Sequence, residues 1–74
     1  MLKKRSVLLK GHGTSVSIEE PFWLELKRMA AARGVSVAAL IEEIDRRRST
    51  ANLSSALRLA VLADLQQRAG PEQT

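Results

Sequence analysis

The strongest constraint on this chain is a change of apolar spacing just after residue 18. In Thr14-Ser15-Val16-Ser17-Ile18 the apolar residues lie two apart. An extended strand would turn Val16 and Ile18 to one face and Ser15 and Ser17 to the other. Past Glu19-Glu20-Pro21 the apolar spacing becomes three and four, the signature of helices. A five-residue strand ahead of helices cannot satisfy its own backbone N–H and C=O groups. It needs a second strand, and a second copy of the same chain is the expected source.

Size supports that expectation. With 74 residues the chain is one domain at most, and chains this short often need oligomerisation to bury enough surface. The absence of cysteine excludes disulfides and cysteine-based zinc sites, and a single His12 rules out a His-rich metal site. No cofactor is expected. A catalytic reading has nothing to assemble: there is no cysteine, no glycine-rich phosphate loop and no carboxylate set converging on a base.

The formal charge of +4 is unevenly placed. Residues 1–18 carry Lys3, Lys4, Arg5 and Lys10 with no acid, whereas basic and acidic residues balance over residues 19–74. A polyanion would be drawn to the N-terminal end. The only apolar run there, Val7-Leu8-Leu9, falls short of the roughly 7–15 residues of a secretory core and the roughly 20 of a membrane span. A cytoplasmic protein without membrane contact is expected. Residues 5–10 fit a second extended segment, and Gly11-His12-Gly13 a turn or bulge. Whether that segment folds back as a hairpin or trails as an arm stays open at this point.

Three helices follow, over about 20–33, 36–47 and 53–68. Pro21 suits the start of the first, and Ser17 with Glu20 has capping-box spacing. Trp23, Leu26, Met29 and Ala30 form its inward stripe with Phe22 beside it, Lys27, Arg28 and Arg33 point to solvent, and Gly34 ends it. Ser36 is the N-cap of the second helix, whose stripe is Val37, Leu40, Ile41 and Ile44. Arg46, Arg47 and Arg48 close it, complementing the helix dipole. Ser49-Thr50-Ala51 links to the third helix, capped by Asn52 or Ser54 and stopped by Gly70-Pro71. Within Ala56–Leu65 only Arg58 and Asp64 are polar, so this helix should be buried on more than one face. The expected organisation is a basic arm at 1–13, partly strand, a core at 14–48, an additional helix at 49–69 and a tail at 70–74.

This order of elements, carried by TSVSIEEPFWLELKRMAAARGVSVAALIEEI (Thr14 to Ile44), resembles the ribbon-helix-helix family of bacterial DNA-binding proteins. GHGTSVSIEEPFW followed by NLSSALR (Asn52–Arg58) looks like a subgroup of short ribbon-helix-helix proteins with a third helix. The resemblance implies a mostly α fold with one short strand, about 14–18, pairing antiparallel across a two-fold dimer. It implies a dimer core of Val16, Ile18, Trp23, Leu26, Met29, Leu40, Ile41 and Ile44, with a higher oligomer open to it through the third helix. The outward strand residues Gly13, Ser15 and Ser17 would face bases in the major groove of double-stranded DNA. Lys3, Lys4, Arg5, Lys10 and His12 would contact phosphates, as would Ser36 with the N–H groups of Val37 and Ala38 at a helix N-terminus. The function expected is that of a transcriptional regulator. The alternative is an antitoxin-like interaction module that dimerises through its core and binds a protein partner through the apolar third helix. Serines discriminate bases less well than the long bidentate side chains usually employed.

Overall fold

The computed structural model describes residues 2–9, 11–47 and 52–69. Lys10, Arg48, the 49–51 linker and the Gly70-Pro71 stop lie outside them. Two strands, β1 (Leu2–Leu9) and β2 (His12–Glu19), precede three helices, α1 (Glu20–Arg33), α2 (Val37–Arg47) and α3 (Leu53–Ala69). The strands form an antiparallel hairpin running from Leu9↔His12 to Leu2↔Glu19. Gly11 takes φ 81° in the two-residue connection, a left-handed conformation that glycine adopts without strain.

The hairpin decides what the sequence left open and revises the first inference drawn from it. The strand at 14–18 extends over 12–19, and its neighbour on one edge comes from its own chain. Residues 2–9, expected as an arm that is partly strand, are strand throughout.

Directly opposed residues of an antiparallel pair share a face. Leu9, Val16 and Ile18 are buried against the helices, with Val7 packed beside them. Leu26, Met29 and Ala30 of α1, Leu40 and Ile41 of α2, and Leu57 and Val61 of α3 complete one core. Trp23 and Ile44 sit at its margin, partly buried. The hydrophobic centre therefore closes within a single chain.

Helix termini follow local chemistry, with one exception. Gly34, at φ 70°, donates its N–H to Ala31 O, and Val35 donates to Ala30 O, tying off two end carbonyls of α1. Ser36 Oγ accepts from the Ala39 N–H at 3.0 Å, and Asn52 Oδ1 accepts from the Ser55 N–H at 3.1 Å. The capping box expected from Ser17 and Glu20 does not form. Glu19 is the N-cap of α1, without a side-chain cap bond, and Ser17 belongs to the strand.

Helix α3 is covered on one face only. Ala56, Leu57 and Val61 are buried, whereas Leu59, Leu62 and Leu65 are 59, 48 and 41% exposed. Burial on a second face, expected from composition, is not supplied among the described residues. Leu57 is fully buried between the sheet and the other helices. Leu57→Ala should lower unfolding free energy by about 2–5 kcal/mol in urea denaturation. Leu59→Ala should change it by less than about 1 kcal/mol, because its side chain is already largely hydrated.

Candidate nucleic-acid interface

The face of the hairpin turned away from the helices is made of alternate residues. On β2 these are Gly13, Ser15, Ser17 and Glu19, and on β1 their cross-strand partners Leu8, Ser6, Lys4 and Leu2. Rows across the ribbon read Leu8–Gly13, Ser6–Ser15, Lys4–Ser17 and Leu2–Glu19. Sequence reasoning placed Gly13, Ser15 and Ser17 on this face but missed Ser6 and Leu8. It also left Lys4 on an arm, with no defined place beside Ser17. The signal was present as alternation in Leu2–Leu9, but charges at Lys3 and Arg5 on the inward side obscured it.

The other basic residues of the N-terminal segment are not equivalent. Lys3, opposite Ile18, is on the helix-facing side of the ribbon yet exposed at its margin. His12 is exposed near the tip on that same side, so it does not lie beside the serines. Arg5, opposite Val16, is folded under the sheet. Its guanidinium pairs with Glu20 and lies 4.9 Å from the centroid of the Trp23 ring. Its Nε is buried without a hydrogen-bond partner. Arg5 is thus engaged inside the molecule, and its expected phosphate contact does not fit this placement.

Two contacts secure α3 to the end of β2. Ser54 Oγ donates to the Ser17 carbonyl at 2.7 Å, and Arg58 donates to both Glu19 carboxylate oxygens at 2.8 and 3.2 Å. The Arg58 bonds hold the Glu19 pKa below the usual carboxylate range, helped by a hydrogen bond that the carboxylate accepts from Glu19's own backbone N–H and opposed by partial desolvation. On α1, Arg28 does not simply face solvent. It bridges Glu25 at 2.7 Å and Asp64 of α3 at 2.5 Å, and bonding to Asp64 first and Glu25 second raises its pKa.

The N-terminus of α2 is exposed at Ser36, with Val37 and Ala38 partly buried behind it. Ser36 Oγ already takes the Ala39 N–H, so Val37 and Ala38 contribute the N–H groups with no partner inside the helix. Arg47 is exposed but pairs with Glu43 at 3.1 Å, and Arg33 reaches the same carboxylate at 3.6 Å. Between α1, α2 and α3 lies a groove of ≈ 430 Å³ whose walls include Met29, Leu40, Ile44, Ala56, Leu59 and Ala60. Among the described residues no cluster of His, Cys, Asp or Glu could hold a metal ion. No described helix is long and apolar enough to cross a membrane.

A model of the ribbon-helix-helix domain matches residues 2–65. The chain belongs to the ribbon-helix-helix family. Domains of this family typically bind DNA, dimerise and lack enzymatic activity. The chain is also similar in structure to an uncharacterized protein from Bordetella pertussis Tohama I, with a TM-score of 0.78 and 35% sequence identity. That match covers 93% of this chain and 59% of the Bordetella chain, so this chain spans well under two thirds of its structural relative. No curated protein matches it.

The Glu19–Arg58 pair makes α3 docking sensitive to acid. A depressed carboxylate pKa contributes stability above the unfolded value, and the contribution is lost as pH falls through the folded value. Amide protection in α3 from Ala56 onward, taken relative to the intrinsic exchange rate at each pH, should therefore fall below about pH 4, and Glu19→Gln should remove that pH dependence. Unchanged acid sensitivity in Glu19→Gln would assign the effect to other carboxylates.

Proposed function

We propose that this ribbon-helix-helix protein binds double-stranded DNA as a two-fold dimer and acts as a cytoplasmic transcriptional regulator. The observation that carries the reading is the outer face of the hairpin. It sets Lys4 beside Ser17 and Ser6 beside Ser15, on a sheet whose residues before Glu19 carry no acid. The strands of two copies, joined through their β2 edges, form a four-stranded sheet with the β2 strands in the middle.

Groove dimensions then assign roles. A major groove about 12 Å wide admits two strands, whereas the outer strands of a four-stranded sheet are about 14 Å apart. The central β2 pair enters, bringing Gly13, Ser15 and Ser17 toward base edges. The flanking β1 strands lie over the phosphate rows, where Lys4 and Lys3 serve as phosphate contacts together with Lys10, the next residue in sequence after β1. The Val37 and Ala38 N–H groups behind Ser36 supply a further anion contact. Arg5 takes no part in phosphate binding, since it is paired with Glu20 beneath the sheet.

A second reading rests on a separate observation. The exposed Leu59, Leu62 and Leu65 of α3 give this surface an apolar ridge beside the groove. That ridge suits a protein partner, as in an antitoxin-like module. Replacing Leu59 and Leu62 with Ser should leave DNA affinity unchanged and abolish any such association.

Titration of labelled duplex DNA with micromolar protein at about 50 mM salt tests the DNA reading. Binding is expected, with a slope of log affinity against log salt no steeper than about −5 for the six lysines of a dimer. Lys3→Ala with Lys4→Ala should weaken binding to every sequence alike and flatten the slope, whereas Ser15→Ala with Ser17→Ala should change sequence preference. No binding under these conditions would overturn the reading.

A further inference from the structure

We infer that Leu8 and Gly13 form a thymine-reading niche on the outer face of the hairpin. Leu8 walls an open space above the Gly13 backbone, and that space takes the C5-methyl group of a thymine in the major groove. The inference rests on the DNA reading above and adds a source of sequence preference that serine hydroxyls lack.

A single exposed leucine is ordinary on a protein surface; its surroundings give this one a role. Leu8 is 63% exposed, and no large apolar side chain among the described residues is more so. The core does not call on it, because Val7 and Leu9 on either side take the helix-facing positions. Directly across the ribbon stands Gly13, the one residue of the outer face without a side chain. An added Cβ there would meet no heavy atom within 4 Å beyond its chain neighbours, so Leu8 does not fold over the gap. The row is therefore open above β2 and apolar on its β1 side. Glycine inside a strand often marks a place where a ligand comes close to the backbone.

Charge selects the occupant. Lys4 shares this face, and no acid precedes Glu19 in the chain, so the face draws a polyanion. An apolar wall on such a face calls for an apolar group on the polyanion. Base edges in the DNA major groove present donors, acceptors and one apolar group, the thymine C5-methyl.

Position agrees with chemistry. In a sheet joined through its β2 edges, each β2 strand runs about 2.4 Å from the central axis and each β1 strand about 7 Å from it. The half-width of the groove is about 6 Å. A methyl group above Gly13 thus lies within the groove, with Leu8 standing between it and the phosphates. Leu2, the other exposed leucine of β1, has no such place. It faces Glu19, so its row offers a carboxylate instead of a gap.

The test begins by selecting duplexes from a random-sequence pool with the full chain at about 50 mM salt. The selected duplex is then remade with uracil at one thymine at a time, which removes only the methyl group. At a recurrent A·T pair the exchange should weaken binding about fourfold, the worth of one buried carbon. In Leu8→Ala the exchange at that pair should make no difference, and likewise in Gly13→Gln, which fills the gap with a polar chain. The salt dependence of Leu8→Ala should match that of the unsubstituted chain, because no phosphate contact is lost. Circular dichroism of each variant establishes that it is folded before affinities are compared. Selected duplexes in which no thymine responds, or a response that persists in either variant, would overturn the niche while leaving the DNA reading in place. Failure to enrich any duplex would overturn the DNA reading itself.

Discussion

Everything in this molecule is arranged around the backbone needs of β2. A strand presents hydrogen-bonding groups on two edges, and burying either edge without partners is costly. Here β1 takes one edge along its full length. On the other, α3 takes only the Ser17 carbonyl, through Ser54, while Arg58 holds the Glu19 side chain beside it. That division places α1 directly after β2, because Glu19 is both the last strand residue and the first helix cap. It also brings α3 back to the sheet, where Leu57 and Val61 can cover Ile18 and Leu26.

Magnitudes separate what holds the fold together from what orients it. Burying a residue such as Ile18 or Leu57 contributes about 1.5–3 kcal/mol. A partly exposed ion pair contributes about 0–1 kcal/mol, and a cation over an aromatic face about 0.5–1 kcal/mol when exposed. The Arg5–Glu20–Trp23 group therefore adds little to stability beside the core. Its effect is positional: it stitches the middle of β1 to the first turn of α1, across the face that would otherwise present a charge opposite Val16. The Lys4 side chain is left on the opposite face of a strand that cannot slip without pulling Arg5 from beneath the sheet. A one-residue slip would exchange the two faces altogether.

The helices were legible because each carries its own punctuation. Gly34, Ser36 and Asn52 act through bonds to residues three or four positions away, and the apolar stripes have the helical period. Strand β1 was harder to read because its two faces invert the usual rule. Arg5 and Lys3 share the inward side with Val7 and Leu9, while Leu2 and Leu8 are 54 and 63% exposed on the outward side. Only the pairing register, which depends on residues up to 17 positions distant, shows which charge is used for the fold and which for the surface. The same is true of Ser17. Its spacing to Glu20 fits a local cap, but its carbonyl is taken by a serine 37 residues away. Family membership was legible from the order of elements, whereas the outer-face partners Ser6 and Leu8 required the hairpin.

A core that closes within one chain changes what dimerisation has to supply. Where an interlocked dimer completes its core only on association, folding and dimerisation are one event. Here Val16, Ile18, Leu40 and Leu57 are buried before a second copy is added. The proposed partner brings backbone hydrogen bonds along a short edge. Each such bond contributes about 0.5–1.5 kcal/mol net, against an association cost of at least about 4 kcal/mol. A few such bonds alone sit close to that cost. In that reading the ligand supplies part of the balance. In the proposed function, DNA with two-fold half-sites would bind the paired form better than the single chain, and by linkage would strengthen the pairing as much as pairing strengthens DNA binding. In the proposed complex the unevenly placed lysines are therefore not only a means of attraction to DNA. By engaging phosphates on both sides of the groove, they help to hold the two hairpins together.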